Sequence, residues 1–503
     1  MKKAIVMSAP GTLTSGGHKT RVGKNTARSP GSHIVAEVFR AEGYDTINIE
    51  YINDWLAKPE HISGLTQVIN NHLSGGTDCV IALSLTIGHH AIIRNPSLFK
   101  ILQSVKQNYN VRLCAGGVYR QTVINRNRKD PNATELADII DAYFIGRSLT
   151  MFPTWLRGDD MSDHFHAKDG DSIWYKLKDL GVPEPPITME LIDSDCYTPR
   201  DVLSIELGIG CMFNCSFCNT PFKKTDTKFQ TIDKLVQVLD TAHSKYGVTH
   251  FNIVDETSNE HDTKYETLLN AVRQLDYQPV FNGYARLDML HRKPQQLDQI
   301  AEIGFKGLFF GIETLDDKAG KLIRKGGGRY DLLGSLERLK ENIPDLYRLG
   351  SFMVGLTHDS EEKIRSGFDY IIENELLHNV YINPVGIAPA EPGDSWASDF
   401  SLNPEKFGYK ITAVDPDNIC SWENEWTDNE KALELSLDIR KDVTDRLGFG
   451  AFAEYNNWEY FKDHALGSVT HPDTVKEQDP DRLYQIAMMH VNNYINAKIM
   501  RHT

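Results

Sequence analysis

Cysteine is scarce in this sequence, and long apolar runs are absent from it. The chain has 7 cysteines among 503 residues, which excludes a small scaffold stapled by disulfides. No apolar stretch approaches the roughly 18 residues that a membrane-spanning helix needs. The apolar run near the start, Ala4–Met7, is also too short for the core of a signal peptide. We therefore expect a cytoplasmic protein without a membrane span.

Positive charge is also in short supply. Lys and Arg number 54 against 69 Asp and Glu, so the formal net charge is −15. A negative surface repels phosphate backbones, and nucleic acid is therefore not favoured as a partner. Hydrophobic residues make up 40% of the chain and charged residues 24%, as is typical of folded globular proteins. At about 150 residues per domain, the length predicts several domains.

Residues 1–150 alternate between strand-like and helix-like segments. Short apolar runs typical of buried strands are separated by segments with helical periodicity, such as Ile34, Val38 and Ala41. This alternation predicts a doubly wound, Rossmann-like α/β domain, whose ligands bind at the carboxyl ends of its parallel strands. The strand candidates are Ala4–Met7, Thr46–Glu50, Cys79–Leu83, Val111–Ala115 and Ala142–Ile145.

A second α/β series follows a proline-rich stretch. Three prolines fall within residues 181–186, and we expect residues 151–195 to form a linker. Residues 196–400 repeat the alternation of strand and helix, which predicts a partial or full TIM-like α/β barrel. The strand candidates are Ser204–Leu207, His250–Val254, Val280–Tyr284, Gly307–Phe310, Ser351–Val354 and Val380–Pro384.

The last part of the chain, residues 401–503, has a helical pattern. Two apolar stripes with helical spacing, Leu433–Val443 and Leu483–Ile495, flank an aromatic-rich stretch. We expect a mostly helical carboxyl-terminal region that packs on the barrel. Most of its aromatic side chains are expected in a core rather than on a substrate platform.

Three of the cysteines fall within eight residues, directly after the first barrel strand. Cys211, Cys215 and Cys218 follow Gly208 and Gly210, which allow a loop tight enough to point three thiolates at one centre. Three thiolates can hold three irons of a [4Fe–4S] cluster and leave the fourth iron open to another ligand. A zinc site is the alternative, but zinc prefers four ligands, and no fourth cysteine or histidine lies nearby in sequence.

This spacing, Cys-x3-Cys-x-aromatic-Cys after the first barrel strand, resembles the signature of the radical S-adenosylmethionine (SAM) enzymes. In that family, SAM chelates the open iron, and an electron from the cluster cleaves its sulfonium to release a 5′-deoxyadenosyl radical that abstracts a substrate hydrogen. The resemblance implies that Cys211, Cys215 and Cys218 are the metal ligands and the catalytic centre, and that Phe217 packs near the adenine. It also implies an electron donor such as flavodoxin or ferredoxin.

Other strand ends resemble the SAM-binding segments of this family, in the expected order. Asp255 and Glu256 end the second barrel strand, where the family holds the methionine ammonium. The resemblance implies that Arg286, after the third strand, meets the methionine carboxylate, and that Glu313, after the fourth, contacts the ribose or the amine. Gly355 ends the fifth strand in a segment that resembles the adenine-contact motif. Alone, each of these strand-end residues would suggest a charged surface residue or a helix cap. Together, at the carboxyl ends of successive strands, they favour a SAM-binding site.

The order of a doubly wound domain, a linker and a radical SAM barrel resembles the cobalamin-binding subclass of this family. In that subclass, cobalamin lies between the two domains, with its lower face on the loops that follow the sheet strands. Ser84 and Thr86 follow one strand here, and Gly116, Gly117 and Val118 follow the next. The resemblance implies that these residues approach the corrin and its nucleotide tail, where glycines allow close backbone contact. No Asp-x-His-x-x-Gly follows the first strand, so no histidine is expected to ligate cobalt from below.

The expected cofactors are therefore a [4Fe–4S] cluster, SAM and cobalamin, and the expected reaction is methyl transfer to an unactivated carbon. In the subclass, cobalamin carries the methyl group, one SAM recharges it and another supplies the radical. One alternative is a cobalamin-independent radical SAM enzyme that keeps only the amino-terminal fold and catalyses rearrangement, cyclisation or oxidation. An alternative from another class is a noncatalytic Fe–S protein that senses redox state.

The remaining cysteines and aromatic residues bear on the reaction and the substrate. The other cysteines, Cys79, Cys114, Cys196 and Cys420, do not cluster in sequence, which argues against methylthiotransferases, whose amino-terminal domain holds a second three-cysteine cluster. The sequence does not identify the substrate: a small molecule or a peptide is expected, and a lipid or a nucleotide also stays open. Its candidate contacts in the carboxyl-terminal region are Trp422, Trp426 and Tyr455.

Overall fold

Two parallel sheets organise the chain. The computed structural model describes residues 1–8, 28–85, 95–117, 139–146, 149, 151–169, 172–176, 190–220, 223–390, 397–414, 420–447 and 480–502. These residues form a seven-stranded sheet, a six-stranded sheet and two short two-stranded pairs. The expected α/β class, with a doubly wound domain followed by a barrel-like domain, is confirmed.

The first sheet is doubly wound, with strand order β2-β1-β3-β4-β5-β7-β6. Its strands are parallel except β6, which is antiparallel to β7. The strands are β1 (Lys2–Ser8), β2 (Asp45–Ile49), β3 (Asp78–Ser84), β4 (Val111–Gly116), β5 (Ala142–Ile145), β6 (Phe165–Asp169) and β7 (Ser172–Lys176). The helices are α1 (Pro30–Ala41), α2 (Ile52–Trp55), α3 (Pro59–Leu73), α4 (Pro96–Asn108) and α5 (Met151–Arg157).

Both faces of this sheet are buried, which explains why its strands are almost continuously apolar. Ile5 and Met7 of β1 belong to the core under α3 and α4. Ala4 and Val6, which point the other way, belong to the core under α1 and α5. Because β2 and β3 lie on opposite sides of β1, the sheet has a topological switch point there, where open α/β sheets bind ligands.

Part of the segment expected as a linker joins this sheet instead. Helix α5 and strands β6 and β7 lie within residues 151–176, and β7 pairs in parallel with β5. A Gly170-Asp171 dipeptide, whose residue types are typical of two-residue hairpin turns, separates β6 from β7 in sequence. The apolar run of β7 is short, and it buries Trp174 and Tyr175. The proline-rich stretch at 181–186 lies outside the described residues.

The second sheet is an open, all-parallel sheet whose strands follow one another in sequence, in the order β15-β14-β13-β12-β11-β8. It is a partial barrel, because β8 and β15 are its two edges among the described strands. The strands of this region are β8 (Val202–Ile205), β9 (Gly208–Ile209), β10 (Lys228–Phe229), β11 (His250–Ile253), β12 (Val280–Ala285), β13 (Phe305–Glu313), β14 (Tyr347–Val354) and β15 (Asn379–Pro384). Its helices are α6 (Ile232–Tyr246), α7 (Asp262–Val272), α8 (Leu287–Arg292), α9 (Gln296–Ile303), α10 (Asp317–Leu322), α11 (Arg329–Asn342), α12 (Glu361–Glu373) and α13 (Asp399–Leu402).

The carboxyl-terminal region divides between the two domains. It contains β16 (Lys410–Ala413), β17 (Ser421–Glu423), α14 (Asn429–Leu447) and α15 (Pro480–His502). Helix α14 packs on β15 and α12 of the barrel, as expected. Helix α15 instead packs on α3, and its Val491, Tyr494 and Ile495 complete the core of the first domain. Within the described chain, none of the helices is both long and apolar enough to cross a membrane.

Candidate functional site

The three clustered cysteines lie on the loop between β9 and β10, at the carboxyl end of β8. Backbone hydrogen bonds fix both ends of this loop, since Thr225 N donates to Cys211 O at 3.1 Å and Ser216 N donates to the carbonyl of Ile323 at 2.9 Å. Lys223 Nζ also donates to Cys218 O at 2.8 Å. The loop is thus held by its main chain, which leaves the three thiols available as ligands.

The thiols suit an iron–sulfur cluster better than a single ion. Cys211 and Cys215 are buried and Cys218 is partly buried. Burial raises the pKa of Cys211 to about 12, with nearby carboxylates and Cys218 adding to the effect. Burial likewise raises the pKa of Cys218, and the neighbouring Cys215 adds to it. The thiolates of Cys211 and Cys218 therefore need the positive charge of metal ions to form.

The number of ligands also weighs against zinc. A structural zinc ion prefers four ligands, whereas a cluster spreads three thiolates over three irons. The other cysteines lie in different elements: Cys79 on β3 and Cys114 on β4, Cys196 before β8 and Cys420 before β17. The residues present therefore fit a [4Fe–4S] cluster with three protein ligands.

Asp255, expected to hold the methionine ammonium, is occupied inside the protein. Its Oδ1 accepts from Leu207 N at 2.8 Å, and its Oδ2 lies 2.6 Å from Lys264 Nζ. Lys264 also lies 2.6 Å from Glu260 Oε1, and none of these three side chains has exposed surface. The structure thus gives Asp255 the task of holding the segment that leads into the cysteine loop.

Glu256 points the other way, toward the cysteine loop. Its carboxylate is exposed and accepts from Thr220 Oγ1 at 3.4 Å. Loss of surrounding water raises the pKa of Glu256, and the charges of Asp255 and Glu206 raise that pKa further. Of the two acids at this strand end, Glu256 is the one available to a bound cation.

Arg286, expected to meet the methionine carboxylate, donates hydrogen bonds to other groups. Its Nε and Nη2 donate to Asp288 at 2.8 and 3.1 Å, and its Nη1 donates to Cys215 Sγ at 3.2 Å. The guanidinium carbon lies 3.7 Å from the centre of the Phe213 ring. Arg286 therefore belongs to the immediate surroundings of the cluster loop.

Glu313 and Phe217 meet through Lys325. Lys325 Nζ lies 3.4 Å from Glu313 Oε1 and 5.8 Å from the centre of the Phe217 ring. Ser351 Oγ donates to the other oxygen of Glu313 at 3.4 Å. Glu313 has a φ of +67°, a left-handed conformation that non-glycine residues adopt at a cost and that is frequent at functional sites. A cavity of about 390 Å³ opens beside it, between the first turns of α10, α11 and α12.

Gly355, expected near the adenine, is required by packing. Its φ is +99°, and a Cβ there would lie 2.5 Å from Cη2 of Trp422. The Trp422 side chain is fully buried, and its Nε1 donates to Val385 O at 3.1 Å. Trp422 is thus a core residue, and the expectation that it contacts substrate is wrong. Trp426 is partly buried and donates to Leu356 O at 2.9 Å, and Tyr455 lies outside the described residues.

One face of the partial barrel is open and carries aromatic rings, which the sequence analysis missed. We call this surface the inner wall and define it by Tyr284, Phe309, Ser351, Tyr381 and Asn383, none of which is fully buried. The Tyr284 and Phe309 rings lie 4.7 Å apart, and those of Phe309 and Tyr381 5.7 Å apart. Each of these residues has a buried neighbour next to it in its strand, so the period of two along a strand was the available signal.

The strand ends of the first sheet form a row of small residues. Ser8, Ser84 and Gly116 end β1, β3 and β4 in direct register. Within the described chain, the buried Ser8 Oγ has no hydrogen-bond partner, and a Cβ on Gly116 would meet nothing closer than 3.9 Å. Gly117 instead packs on its neighbour, since a Cβ there would lie 2.3 Å from the Leu85 carbonyl oxygen. We call Ser8, Ser84 and Gly116 the small-residue edge.

The described residues leave room at this edge for a bound group over the sheet, and among them the buried Ser8 hydroxyl has no partner, so that such a group could satisfy it. The edge therefore fits the cobalamin expected from the sequence. Two of the expected contacts, Thr86 and Val118, lie outside the described residues.

Comparison with known proteins agrees with this site. Residues 205–371 match the family described as the radical SAM superfamily. The ribosomal protein uS12 methylthiotransferase RimO of Beijerinckia indica is 24% identical over 45% of this chain and 52% of its own length. The bacteriochlorophyllide d C-12(1)-methyltransferase of Chlorobaculum tepidum is 22% identical over 34% of this chain and 38% of its own length. The chain thus spans about half, or less, of the length of these two relatives.

Solved structures extend the likeness in fold to nearly the whole chain. The radical SAM methyltransferase TsrM of Kitasatospora setae, with cobalamin and a [4Fe–4S] cluster bound, superposes with a TM-score of 0.59 at 9% identity, over 98% of this chain and 100% of TsrM. The cobalamin-dependent radical SAM enzyme OxsB superposes with a TM-score of 0.55 at 12% identity, over 99% of this chain and 80% of OxsB.

The cysteine loop at the end of β8, the strand-end acids and the family match define a radical SAM enzyme. Residues 205–371 of the chain carry the radical SAM domain, and the two-domain fold is similar to that of TsrM, solved with cobalamin bound, and of the cobalamin-dependent OxsB. The resemblance drawn from the cysteine motif is confirmed.

Proposed function

We propose that this protein is a cobalamin-dependent radical SAM enzyme that transfers a methyl group to an unactivated carbon of a small molecule or peptide. The observation that carries the proposal is the small-residue edge in a chain that also holds the three-cysteine loop. Ser8, Ser84 and Gly116 leave space at the carboxyl edge of the first sheet, and Ser8 Oγ is buried there without a partner among the described residues. The likeness in fold to TsrM, over the full length of TsrM, supports the same proposal.

In this proposal, Cys211, Cys215 and Cys218 hold the cluster. When bound, the cluster and SAM supply an electron and a 5′-deoxyadenosyl radical. Glu256 is the exposed carboxylate beside the loop and would attract the methionine ammonium. Glu313 and Lys325, already paired beside Phe217, would orient the nucleoside part of SAM. Each of these groups is preorganised by the fold, so that little reorganisation is needed on binding.

The first domain would hold cobalamin, which supplies a methyl carrier when bound. Gly116 would let the corrin or its tail approach the backbone, and Ser8 would donate or accept the hydrogen bond that it lacks among the described residues. Gly117 would act indirectly, by keeping the β3 and β4 strand ends in contact through Leu85.

The inner wall is the surface that we assign to the substrate. Its rings supply apolar contact area, and Ser351 and Asn383 supply hydrogen-bonding groups. Such a mixture of a mostly apolar surface with a few polar groups is typical of sites for small organic molecules. The inner wall and Glu313 are linked through the 3.4 Å contact between Ser351 and Glu313, so a substrate there would lie beside SAM.

Methylthio transfer is a second candidate, because methylthiotransferases are among the relatives. Those enzymes need a second cluster in the amino-terminal domain. Cys79 and Cys114 lie on adjacent strands, β3 and β4, and the thiols of both are buried in opposite cores. They therefore supply no second set of ligands, and simple methyl transfer is the better account.

The test is a SAM cleavage assay on anaerobically reconstituted protein. We expect dithionite to yield 5′-deoxyadenosine from the wild type and none from Cys218→Ala. Provision of cobalamin should also yield S-adenosylhomocysteine, because methyl transfer leaves that product. Protein with a full cluster that never cleaves SAM would refute the radical assignment and favour a redox sensor. Cleavage to 5′-deoxyadenosine with no S-adenosylhomocysteine would favour the cobalamin-independent alternative.

A further inference from the structure

Arg286 makes an unusual contact for a residue at the end of a barrel strand. Its Nη1 lies 3.2 Å from Cys215 Sγ, within hydrogen-bonding distance for a sulfur acceptor. Lys223, a cation of the loop itself, reaches Cys218 through its carbonyl oxygen rather than its thiol, at 2.8 Å. Cys215 thus has a positively charged donor directed at its sulfur.

The guanidinium cannot easily turn away from this sulfur. Asp288 binds Nε and Nη2 together, at 2.8 and 3.1 Å, which fixes the plane of the fork. The Phe213 ring covers one face of the guanidinium at 3.7 Å. Asn259 clamps the main chain, since its side chain accepts from Arg286 N at 2.9 Å and donates to Arg286 O at 3.0 Å.

The positive charge is retained despite burial. The Arg286 residue is only 5% exposed. Its Nε lies 2.8 Å from the Asp288 carboxylate, with which the guanidinium forms an ion pair, and an arginine side chain stays protonated in proteins. A buried, charged donor acts through few intervening waters, so its field on a neighbouring metal centre is weakly screened.

We propose that Arg286 is a positioning residue for the cluster, which donates an N–H···S hydrogen bond to the Cys215 thiolate and thereby raises the reduction potential of the cluster. Reduction adds one electron, and a donor and positive charge at a ligand sulfur stabilise that added negative charge. The inference rests on the radical SAM assignment but not on cobalamin, because it concerns the cluster alone.

The test is the midpoint potential of the reconstituted cluster, followed by the EPR signal of its reduced state during a redox titration. We expect Arg286→Gln, loaded with four irons, to titrate at a more negative potential than the wild type. Arg286→Lys keeps the charge but cannot bond Asp288 and Cys215 as one fork, so we expect a smaller negative shift. Arg292→Gln is the matched control. It removes the charge of an exposed guanidinium at the end of α8, which lies 3.8 Å from the same Asp288 carboxylate.

The proposal is overturned if the loaded Arg286→Gln protein has the wild-type potential, or if Arg292→Gln shifts it equally. If Arg286→Gln fails to load iron, Arg286→Lys decides, and a wild-type potential in that variant overturns the proposal. The titration needs neither SAM cleavage nor corrin. If the potential shifts but the protein binds no cobalamin, the shift supports this inference, and the lack of cobalamin counts against the proposed methyl transfer.

Discussion

Lys264 and Asp255 form an ion pair with no exposed side-chain surface, in which Nζ lies 2.6 Å from Oδ2. The pair joins α7 to the end of β11, and through Oδ1 of Asp255 it also holds Leu207, just before the cysteine loop. The aspartate therefore contributes to the site by fixing its framework. The neighbouring Glu256 remains available to ligands.

Removal of Lys264 should destabilise the protein strongly. Lys264→Met would leave Asp255 and Glu260 buried without their cation, and loss of one partner of a buried pair costs about 3–5 kcal/mol. Lys293→Met is the matched control, because its pair with Asp262 is partly exposed and should contribute no more than about 1 kcal/mol. Urea unfolding of the metal-free proteins measures both. Equal, small losses would contradict the framework role of the pair.

Two glycine substitutions should have opposite effects. Gly355→Ala would place a Cβ 2.5 Å from the Trp422 ring in a backbone with φ of +99°, and overpacking of this kind costs roughly 1–3 kcal/mol before strain is added. Gly334→Ala meets nothing within 4 Å, in the middle of α11, and should stabilise the protein by roughly 0.5–1 kcal/mol. Thermal unfolding of the two variants checks the difference. A neutral Gly355→Ala would mean that Trp422 can move aside.

Arg28 and Glu50 form a buried ion pair, which should make the protein sensitive to acid. Burial alone would raise the pKa of Glu50, but the charge of Arg28 overcomes this and lowers the pKa to about 2. The folded pKa lies below the ordinary value, so the stabilisation is complete above about pH 4.5 and is lost as the pH falls toward 2. Glu50→Gln should therefore lower stability at pH 7 and flatten its decline in this window. A decline as steep as that of the wild type would assign acid sensitivity to other groups.

The small-residue edge allows a direct test of where cobalamin binds. Gly116→Leu would fill the space beside the edge, whereas Gly116→Ala adds a methyl group that meets nothing closer than 3.9 Å. We expect the Leu variant to lose corrin but keep its iron, and the Ala variant to keep both. Visible absorption spectra and iron analysis of each protein report the two cofactors. Full corrin content in the Leu variant would place cobalamin elsewhere.

The strands and the cysteine loop could be predicted because their signals are local. The composition of apolar runs such as Ala4–Met7 predicts buried strands. Cys211, Cys215 and Cys218 have a spacing that few other sites share. The sequence also predicted that the strand-end residues lie near one another, because a parallel barrel places the carboxyl ends of all its strands at one edge.

Other features depend on contacts between distant residues, and the sequence alone did not predict them. The direction of Asp255 depends on Lys264, and the contact between Arg286 and Cys215 spans residues that lie 71 positions apart. Helix α15 binds the first domain because Tyr494 donates to Asn48 O and accepts from Glu50 N. No local periodicity reports such pairings, since an apolar stripe shows that a helix is buried but not against which partner.

The most direct test of the proposed function is the ratio of corrin to iron after anaerobic purification, with hydroxocobalamin supplied during expression. The account predicts about one cobalamin for each four irons, as expected for one corrin and one [4Fe–4S] cluster per chain. Four irons with no corrin would contradict cobalamin-dependent methyl transfer. The first domain would then be a scaffold or a substrate-binding module beside the radical SAM barrel.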